Sequence, residues 1–259
     1  MSQPAALFAD LYRLTTKEFI RRYHHHEIHV DAPLPTAPAL LVSNHGHGGV
    51  TDLNVVALGR TADEIGIGAN VTYLTHQIAW TLGFGDVVEE MGCRPASKES
   101  ADAAFAAGRY VAVFPGGDVD AAKPHEERNL IKFGGRNGYA RLALDHGVPV
   151  VPVVTAGAGD TLFVLSDGQE LAKALDLPRR FRLKALPVTL SIPWGLSLGV
   201  TGLLPYIPFR VKITTAVLPA MYAHEGETPK SFAARIEEAM QIRLDELAKD
   251  QALEGSALV

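Results

Sequence analysis

The sequence predicts an α/β fold: a single domain with a central mixed, largely parallel sheet flanked by helices. Three observations predict it. Short β-rich runs at Leu40–Ser43, Tyr110–Phe114 and Val148–Val154 alternate with segments of helical character. The chain has 259 residues, 47% of them hydrophobic, which is enough to bury a full core. Glycine-rich breaks follow two of the strands, where ligands bind in such folds.

In chain order, residues 8 to 28 read as a helix with basic and aromatic members. Leu40–Ser43 reads as a short buried strand, after which glycines bring the backbone close to a site. Asp52 to Leu58 opens a helix with Asp52 near its first turn. Val71 to Gly83 is apolar and aromatic and is expected to be helical. Ser97 suits the cap of a helix from Lys98 to Gly108. Tyr110–Phe114 is a strand ended by Pro115-Gly116-Gly117, and a polar loop follows from Asp118 to Asn129. Asn137 to His146 reads as a helix packing Ala140, Leu142, Ala143 and Leu144, stopped by Gly147. Val148 to Val154 is β-rich, and its prolines argue for an irregular or edge strand. Lys212 to Leu218 is a further strand. Thr228 and Pro229 open a terminal helix in which Phe232, Ile236, Met240 and Leu244 recur every four residues, so one stripe packs on the body. The expected division is 1–37 as an N-terminal helical segment, 38–220 as the main domain and 221–259 as a C-terminal amphipathic helix packed on it.

Composition excludes some functions. A net charge of −5 argues against nucleic acid as a partner, although a small basic pocket for a phosphate remains compatible with it. The lone Cys93 has no partner for an internal disulfide, which fits a reducing compartment. No cysteine spacing for zinc is present, and no metal is expected. His24, His25 and His26 stand in a charged stretch and read as a solvated surface cluster. No signal peptide is apparent.

Between Lys184 and Arg210 the sequence carries no charge. Its length would span a bilayer, but its prolines and glycines argue against a continuous helix. A membrane-facing or lipid-tunnel surface and an ordinary buried loop and strand are the two readings left. Trp194, Tyr206 and Phe209 suit an interface.

The chemistry centres on Asn44-His45-Gly46-His47-Gly48-Gly49-Val50-Thr51-Asp52. A neutral imidazole can take a proton from an alcohol as its oxygen attacks a carbonyl, and a nearby carboxylate fixes the tautomer. His45 or His47 could be the base and Asp52 the orienting group; the alternative is a plain glycine-rich loop with a helix cap at Asp52. The same three residues could instead ligate a metal, with His76, Asp118 or His125 completing the set. Arg94 could contact a phosphate or carboxylate. Gly116 and Gly117 could present N–H groups to an anion. Arg128, Lys132 and Arg136 are four apart, so on a helix they would form one positive face. The apolar run containing Pro149 and Pro152 suits either an acyl-pocket wall or a buried strand. There is no Gly-x-Ser-x-Gly elbow and no phosphate-binding Gly-Lys-Ser/Thr loop.

Over residues 38 to 220 the chain resembles the glycerolipid acyltransferases of the lysophosphatidic-acid acyltransferase type. The first motif of that family, Asn-His, a gap and Asp, is similar to Asn44, His45 and Asp52. Its commonest gap is four residues, which His47 to Asp52 has. The six-residue gap from His45 resembles a bacterial branch related to diacylglycerol acyltransferases. The strand-end pattern Val42-Ser43-Asn44-His45 favours His45 as base. Gly92-Cys93-Arg94 weakly resembles the second motif. Phe114-Pro115-Gly116-Gly117 resembles the third, usually Phe-Pro-Glu-Gly, but Gly116 stands where the acceptor-binding glutamate would be. Val148 to Val154 resembles the fourth, which gives Pro149 and Pro152 a place beside the substrate.

The resemblance implies a glycerol-phosphate acyltransferase-like fold and an acyl-CoA-dependent O-acyltransferase of lipid metabolism, in phospholipid biosynthesis. A fatty acyl group would pass from acyl-CoA, or an acyl carrier protein, to a hydroxyl of a glycerolipid or lysophospholipid. His45 would be the base, His47 would line the pocket, and Arg128, Lys132 and Arg136 would meet donor phosphates. Acyl-CoA is a co-substrate, and no cofactor is implied. Peripheral contact with the cytoplasmic face of the cell membrane follows from the lipid acceptor. The rival readings are a metal-dependent hydrolase using His45, His47 and Asp52, and a non-catalytic lipid-binding protein.

Overall fold

A computed structural model describes residues 3–47, 52–81, 83–181, 186–199 and 206–256. Gly48 to Thr51 of the histidine loop, and residues 182–185 and 200–205 in and beside the uncharged run, lie outside the described residues.

The strands are β1 Glu27–Val30, β2 Leu40–Ser43, β3 Val71–Thr75, β4 Cys93–Pro95, β5 Tyr110–Val113, β6 Val150–Ala156, β7 Phe163–Ser166, β8 Val188–Ser191, β9 Gly195–Leu198 and β10 Thr214–Val217. The α-helices are α1 Gln3–Tyr23, α2 Leu53–Glu64, α3 Ile78–Thr81, α4 Gly85–Glu90, α5 Lys98–Ala106, α6 Gly117–Ala121, α7 Gly138–His146, α8 Gln169–Ala174, α9 Leu177–Phe181 and α10 Pro229–Ser256. Seven strands form one sheet in the order β1-β10-β6-β2-β5-β3-β4. All of its neighbours run parallel except β10 against β6. β7, β8 and β9 form a separate antiparallel sheet.

The sheet is mixed and largely parallel, as expected. β2 and β6 are buried at every position, which is what strands covered on both faces require and why they read as unbroken apolar runs. After β2 the chain lays β3, β4 and β5 on one side of it and then β6 on the other. β2 therefore lies where the winding reverses, and the loop leaving its carboxyl end opens into the crevice favoured by ligands. One face of the sheet packs against Phe105, Tyr139 and the α10 stripe Phe232, Ile236, Met240 and Leu244.

Five expectations are corrected. Val71 to Gly83 is not one helix. Val71–Thr75 is β3 and only Ile78–Thr81 turns helical, because Val71, Thr72, Tyr73 and Thr75 favour a pleated, half-buried surface. The first helix stops at Tyr23; His25 takes φ +47 and Glu27–Val30 joins β10 as β1. The polar loop after Pro115 contains α6. β6 is interior rather than an edge. Pro152 fits there because its carbonyl still accepts the Leu218 N–H at 2.9 Å just past β10, and pairing on that side resumes between Val150 and Met221, so its missing N–H removes one bond from a stretch where the pairing is already irregular. His24 and His26 are buried instead of solvated. His24 Nδ1 meets Val211 O at 2.9 Å, and His26 Nε2 meets Thr215 Oγ1 at 2.8 Å.

The expected caps form. Ser97 Oγ accepts the Ser100 N–H at 3.2 Å, and Thr228 Oγ1 accepts the Ser231 N–H at 3.2 Å. Among the described residues no helix is long and apolar enough to cross a membrane. Instead, the described part of the uncharged run contains β8 and β9.

The α10 stripe gives a direct stability test. Met240 is fully buried while Ile242 is exposed. Met240→Ala is expected to lower unfolding free energy by about 2–5 kcal/mol and Ile242→Ala by less than about 0.5 kcal/mol, read as shifts in urea midpoint.

Candidate active site

Asn44 and His45 leave the carboxyl end of β2. The Asn44 side chain clamps the end of β6: Oδ1 accepts the Thr155 N–H at 2.9 Å and Nδ2 donates to Thr155 O at 3.1 Å. The Asn44 carbonyl accepts Asn54 Nδ2 at 2.8 Å. Gly46 passes so close that a Cβ there would lie 2.8 Å from Ala158 Cβ and 3.0 Å from Asn54 Oδ1. The loop is thus fixed to β6 on one side and α2 on the other.

Asp52 has two roles. As N-cap of α2, its Oδ1 accepts the Asn54 N–H at 2.8 Å, and its Oδ2 lies 2.5 Å from His45 Nδ1. A carboxylate can only accept, so Nδ1 carries the proton and the opposite nitrogen, Nε2, keeps its lone pair. The His45 ring packs on Phe114 with centroids 4.7 Å apart. Its side chain is 16% exposed, a small opening toward solvent. Burial opposes protonation of His45, but the adjacent Asp52 carboxylate and, further off, Asp120 outweigh it and raise its pKa above 6.5.

Asp120 was not legible as part of the site. Its Oδ2 accepts the backbone N–H of His45 at 2.6 Å, and its Oδ1 pairs with Lys123 Nζ at 2.8 Å. Lys123 Nζ also donates to Leu130 O at 3.0 Å. Both side chains are essentially fully buried. This pairing explains Gly116: a Cβ there would lie 2.1 Å from Asp120 Cβ and 2.8 Å from Lys132 O. A glutamate at 116 and Asp120 in this position exclude one another.

His47 is buried, with its ring edge-on to Tyr206 at 6.0 Å. The Tyr206 hydroxyl reaches Thr161 Oγ1 at 3.0 Å, and burial pushes its pKa up to about 12. The remaining sequence candidates are placed differently. Arg136 Nη1 donates to the carbonyls of Pro115 and Gly116 at 3.1 and 2.6 Å, and its Nη2 to Asp118 at 2.9 Å. Gly117, at φ +51, leaves room for that guanidinium and gives its own N–H to Phe114 O at 3.2 Å. Arg128 pairs with Asp160 at 2.6 Å and Lys132 with Glu127. Residues 128–137 are not helical. The expected common positive face is therefore corrected: each of the three cations holds a local carboxylate. Arg94 lies on the edge strand β4 and donates to the carbonyls of Cys93 and Glu89. Pro149 accepts the Leu40 N–H at the opposite end of β2, about 16 Å from His45 at the rise of a strand. Pro152 is paired with Val42 inside the sheet.

A second buried chain reaches the same loop. Arg60 donates to His26 Nδ1 at 3.0 Å, His26 meets Thr215, and Thr215 Oγ1 meets Thr155 Oγ1 at 2.9 Å. Thr155 is the residue Asn44 clamps. Burial, aided by Arg60, drives the His26 pKa down to about 3, so His26 stays neutral through the physiological range.

Removing one member of the buried Asp120–Lys123 pair strands the other charge. Asp120→Asn or Lys123→Met is expected to cost about 3–5 kcal/mol of stability each. The double variant is expected to be more stable than either single one. Urea unfolding of the three variants tests the coupling, and additive losses would refute it.

The sequence profile described as Diacylglycerol acyltransferase matches residues 5–249. A protein of Gallus gallus named "DGAT1/2-independent enzyme synthesizing storage lipids" is 28% identical over 87% of this chain and 68% of its own length. An uncharacterized protein of Mycobacterium tuberculosis is 28% identical over 71% of this chain and 49% of its own. The chain thus spans about two thirds of the avian relative and half of the mycobacterial one. Among solved structures, the 1-acyl-sn-glycerophosphate (LPA) acyltransferase PlsC of Thermotoga maritima superposes with a TM-score of 0.51 at 14% identity, covering 92% of this chain and 81% of that one. That likeness is one of fold. The profile match runs almost from end to end, and the chain belongs to the diacylglycerol acyltransferase family.

Proposed function

We propose that the protein moves a fatty acyl group from a thioester, acyl-CoA in the first instance, to a hydroxyl of a glycerolipid or lysophospholipid, with His45 as general base. The observation that carries this reading is the 2.5 Å contact between His45 Nδ1 and Asp52 Oδ2, in a chain of an acyltransferase family. The acceptor hydroxyl gives its proton to Nε2 as its oxygen attacks the thioester carbonyl. Asp52 stabilises the imidazolium that forms. The tetrahedral oxyanion collapses, the carbon–sulfur bond breaks, and the leaving thiolate takes the proton back from Nε2. No acyl-enzyme is needed, because the acceptor itself attacks. The Gly117 N–H is already bonded to Phe114 O, so of the two glycines Gly116 is the one assigned to donate to the oxyanion.

The same geometry gives less support to a metal-dependent hydrolase. Both Asp52 oxygens have partners, Asn54 N–H and His45. Among the described residues no three histidine, cysteine, aspartate or glutamate side chains gather as ligands. His47 would shape the pocket wall with Tyr206. Peripheral contact with a membrane, on its cytoplasmic face, follows from the class of acceptor.

Thiol release from acyl-CoA, or from an acyl carrier protein thioester, across lysophosphatidate, lysophospholipid and diacylglycerol acceptors tests the reading. His45→Ala is expected to lose about 10²–10⁴-fold in kcat/KM. Undiminished release by that variant would remove His45 from the mechanism, whereas no release by the unaltered protein, with lipid binding intact in both, would point to a non-catalytic lipid-binding protein. The raised pKa of His45 places the rising limb of kcat/KM above pH 6.5, since only the neutral ring accepts a proton. Asn serves as well as Asp at an N-cap. Asp52→Asn is therefore expected to keep the fold, lose activity and move the rising limb to lower pH, because the charge that favours imidazolium is gone. A limb that stays in place would remove Asp52 from the mechanism.

A further inference from the structure

Antiparallel sheets on a protein surface normally turn apolar side chains inward and polar ones to water. The β7–β8–β9 sheet does the reverse. Its register aligns Phe163, Leu190 and Leu196 in one row across the three strands, and these are 42%, 45% and 70% exposed. The adjacent row, Val164, Thr189 and Ser197, is buried. Leu198, two residues from Leu196, shares the outward face, and Trp194 in the β8–β9 turn is half exposed. An exposed apolar row backed by buried hydroxyls marks a contact surface, not a misplaced core.

Two further observations say what covers it. The described part of the connection from β7 to β8 is α8 and α9; the segment leaves the sheet at Asp167 and returns to it at Leu186, where the Leu186 N–H donates to Asp167 O at 3.0 Å. From Gln169 to Lys184 the sequence carries Lys173, Arg179, Arg180, Arg182 and Lys184 against Glu170 and Asp176. This local excess of positive charge stands in a chain of net charge −5, and Lys173 and Arg179 are exposed. The sheet also approaches the candidate site: Ile192 bridges to Ile207, next to the Tyr206 whose ring lies edge-on to His47 at 6.0 Å.

We propose that the outward face of the three-stranded sheet docks on an anionic lipid surface, its leucines and Trp194 entering the acyl boundary while the α8–α9 cations meet the headgroups. The proposal rests on the acyl-transfer reading and names the surface through which that site would meet its lipid. Apolar area flanked by lysine and arginine is the chemistry that binds anionic interfaces, and a tryptophan ring suits the headgroup level. A second copy fits less well, because an isologous contact through this face would bring two cationic borders together.

The test is flotation of the full chain with phosphatidylcholine vesicles, with and without phosphatidylserine. Each variant is assayed in parallel for thiol release with a detergent-dispersed acceptor. Wild type is expected to partition more strongly onto phosphatidylserine vesicles. Leu196→Ser with Leu198→Ser is expected to weaken partition about tenfold on both vesicle types. Lys173→Gln with Arg179→Gln is expected to weaken it about tenfold on the anionic ones alone. Both pairs should retain thiol release in detergent, which shows that the fold and site are intact. Three results would overturn the proposal. One is partition indifferent to the leucine pair; another is loss that follows the exposed α1 residues Leu7 and Leu11 instead. The third is a dimer in sedimentation that the leucine changes dissociate, with no vesicle binding by wild type. His45-dependent release with leucine-independent partition defeats the docking surface alone. Leucine-dependent partition with no release by wild type defeats the acyl-transfer reading alone, and with His45-independent release it defeats the role of His45 alone.

Discussion

One carboxylate ties the fold to the chemistry. Asp52 ends a loop and starts a helix, and its two oxygens face different obligations. One satisfies an N–H that the first turn of α2 would otherwise leave bare; the other holds the imidazole of His45. The ring is therefore oriented by an atom whose position is set by secondary structure. At Gly46, next to His45, the backbone runs so close to Ala158 and Asn54 that a side chain would not fit.

The other supports act on the backbone of the same loop rather than on the ring. Asn44 grips Thr155 at two points and Asp120 accepts the His45 N–H. Each depends on a buried polar group that has its own partner: Thr155 through Thr215 and His26, and Asp120 through Lys123. Buried networks of this kind favour a single arrangement because every member left unpaired is costly. The loop leaving β2 is consequently held from β6, α2 and α6 at once, three elements far apart in sequence.

Much of this was legible in the chain and some was not, for identifiable reasons. β2, β5 and β6 show as apolar runs because parallel strands are covered on both faces. The pairing of His45 with Asp52 shows because a motif keeps its members within a few residues. Asp120 does not show, since it reaches His45 across 75 residues and nothing local marks it out. β3 was hidden by a run whose apolar content suits a helix equally well. Prolines in β6 pointed to an edge because spacing cannot reveal that the pairing beside Pro152 skips to Val150 and Met221 and so tolerates one missing N–H. The even spacing of Arg128, Lys132 and Arg136 suggested one face, yet the two glycines at 134 and 135 take positive φ and the cations turn to separate carboxylates. Local patterning carries strand identity and short motifs; long-range pairing needs the assembled sheet.

The inverted small sheet has a practical side for anyone handling the molecule. In plain buffer its leucines are wetted, and raising the concentration would drive molecules to hide them against whatever apolar surface is nearest, including the walls of a tube. Colloidal behaviour on purification should then vary with ionic strength and mild surfactant far more than a chain of this modest net charge would suggest.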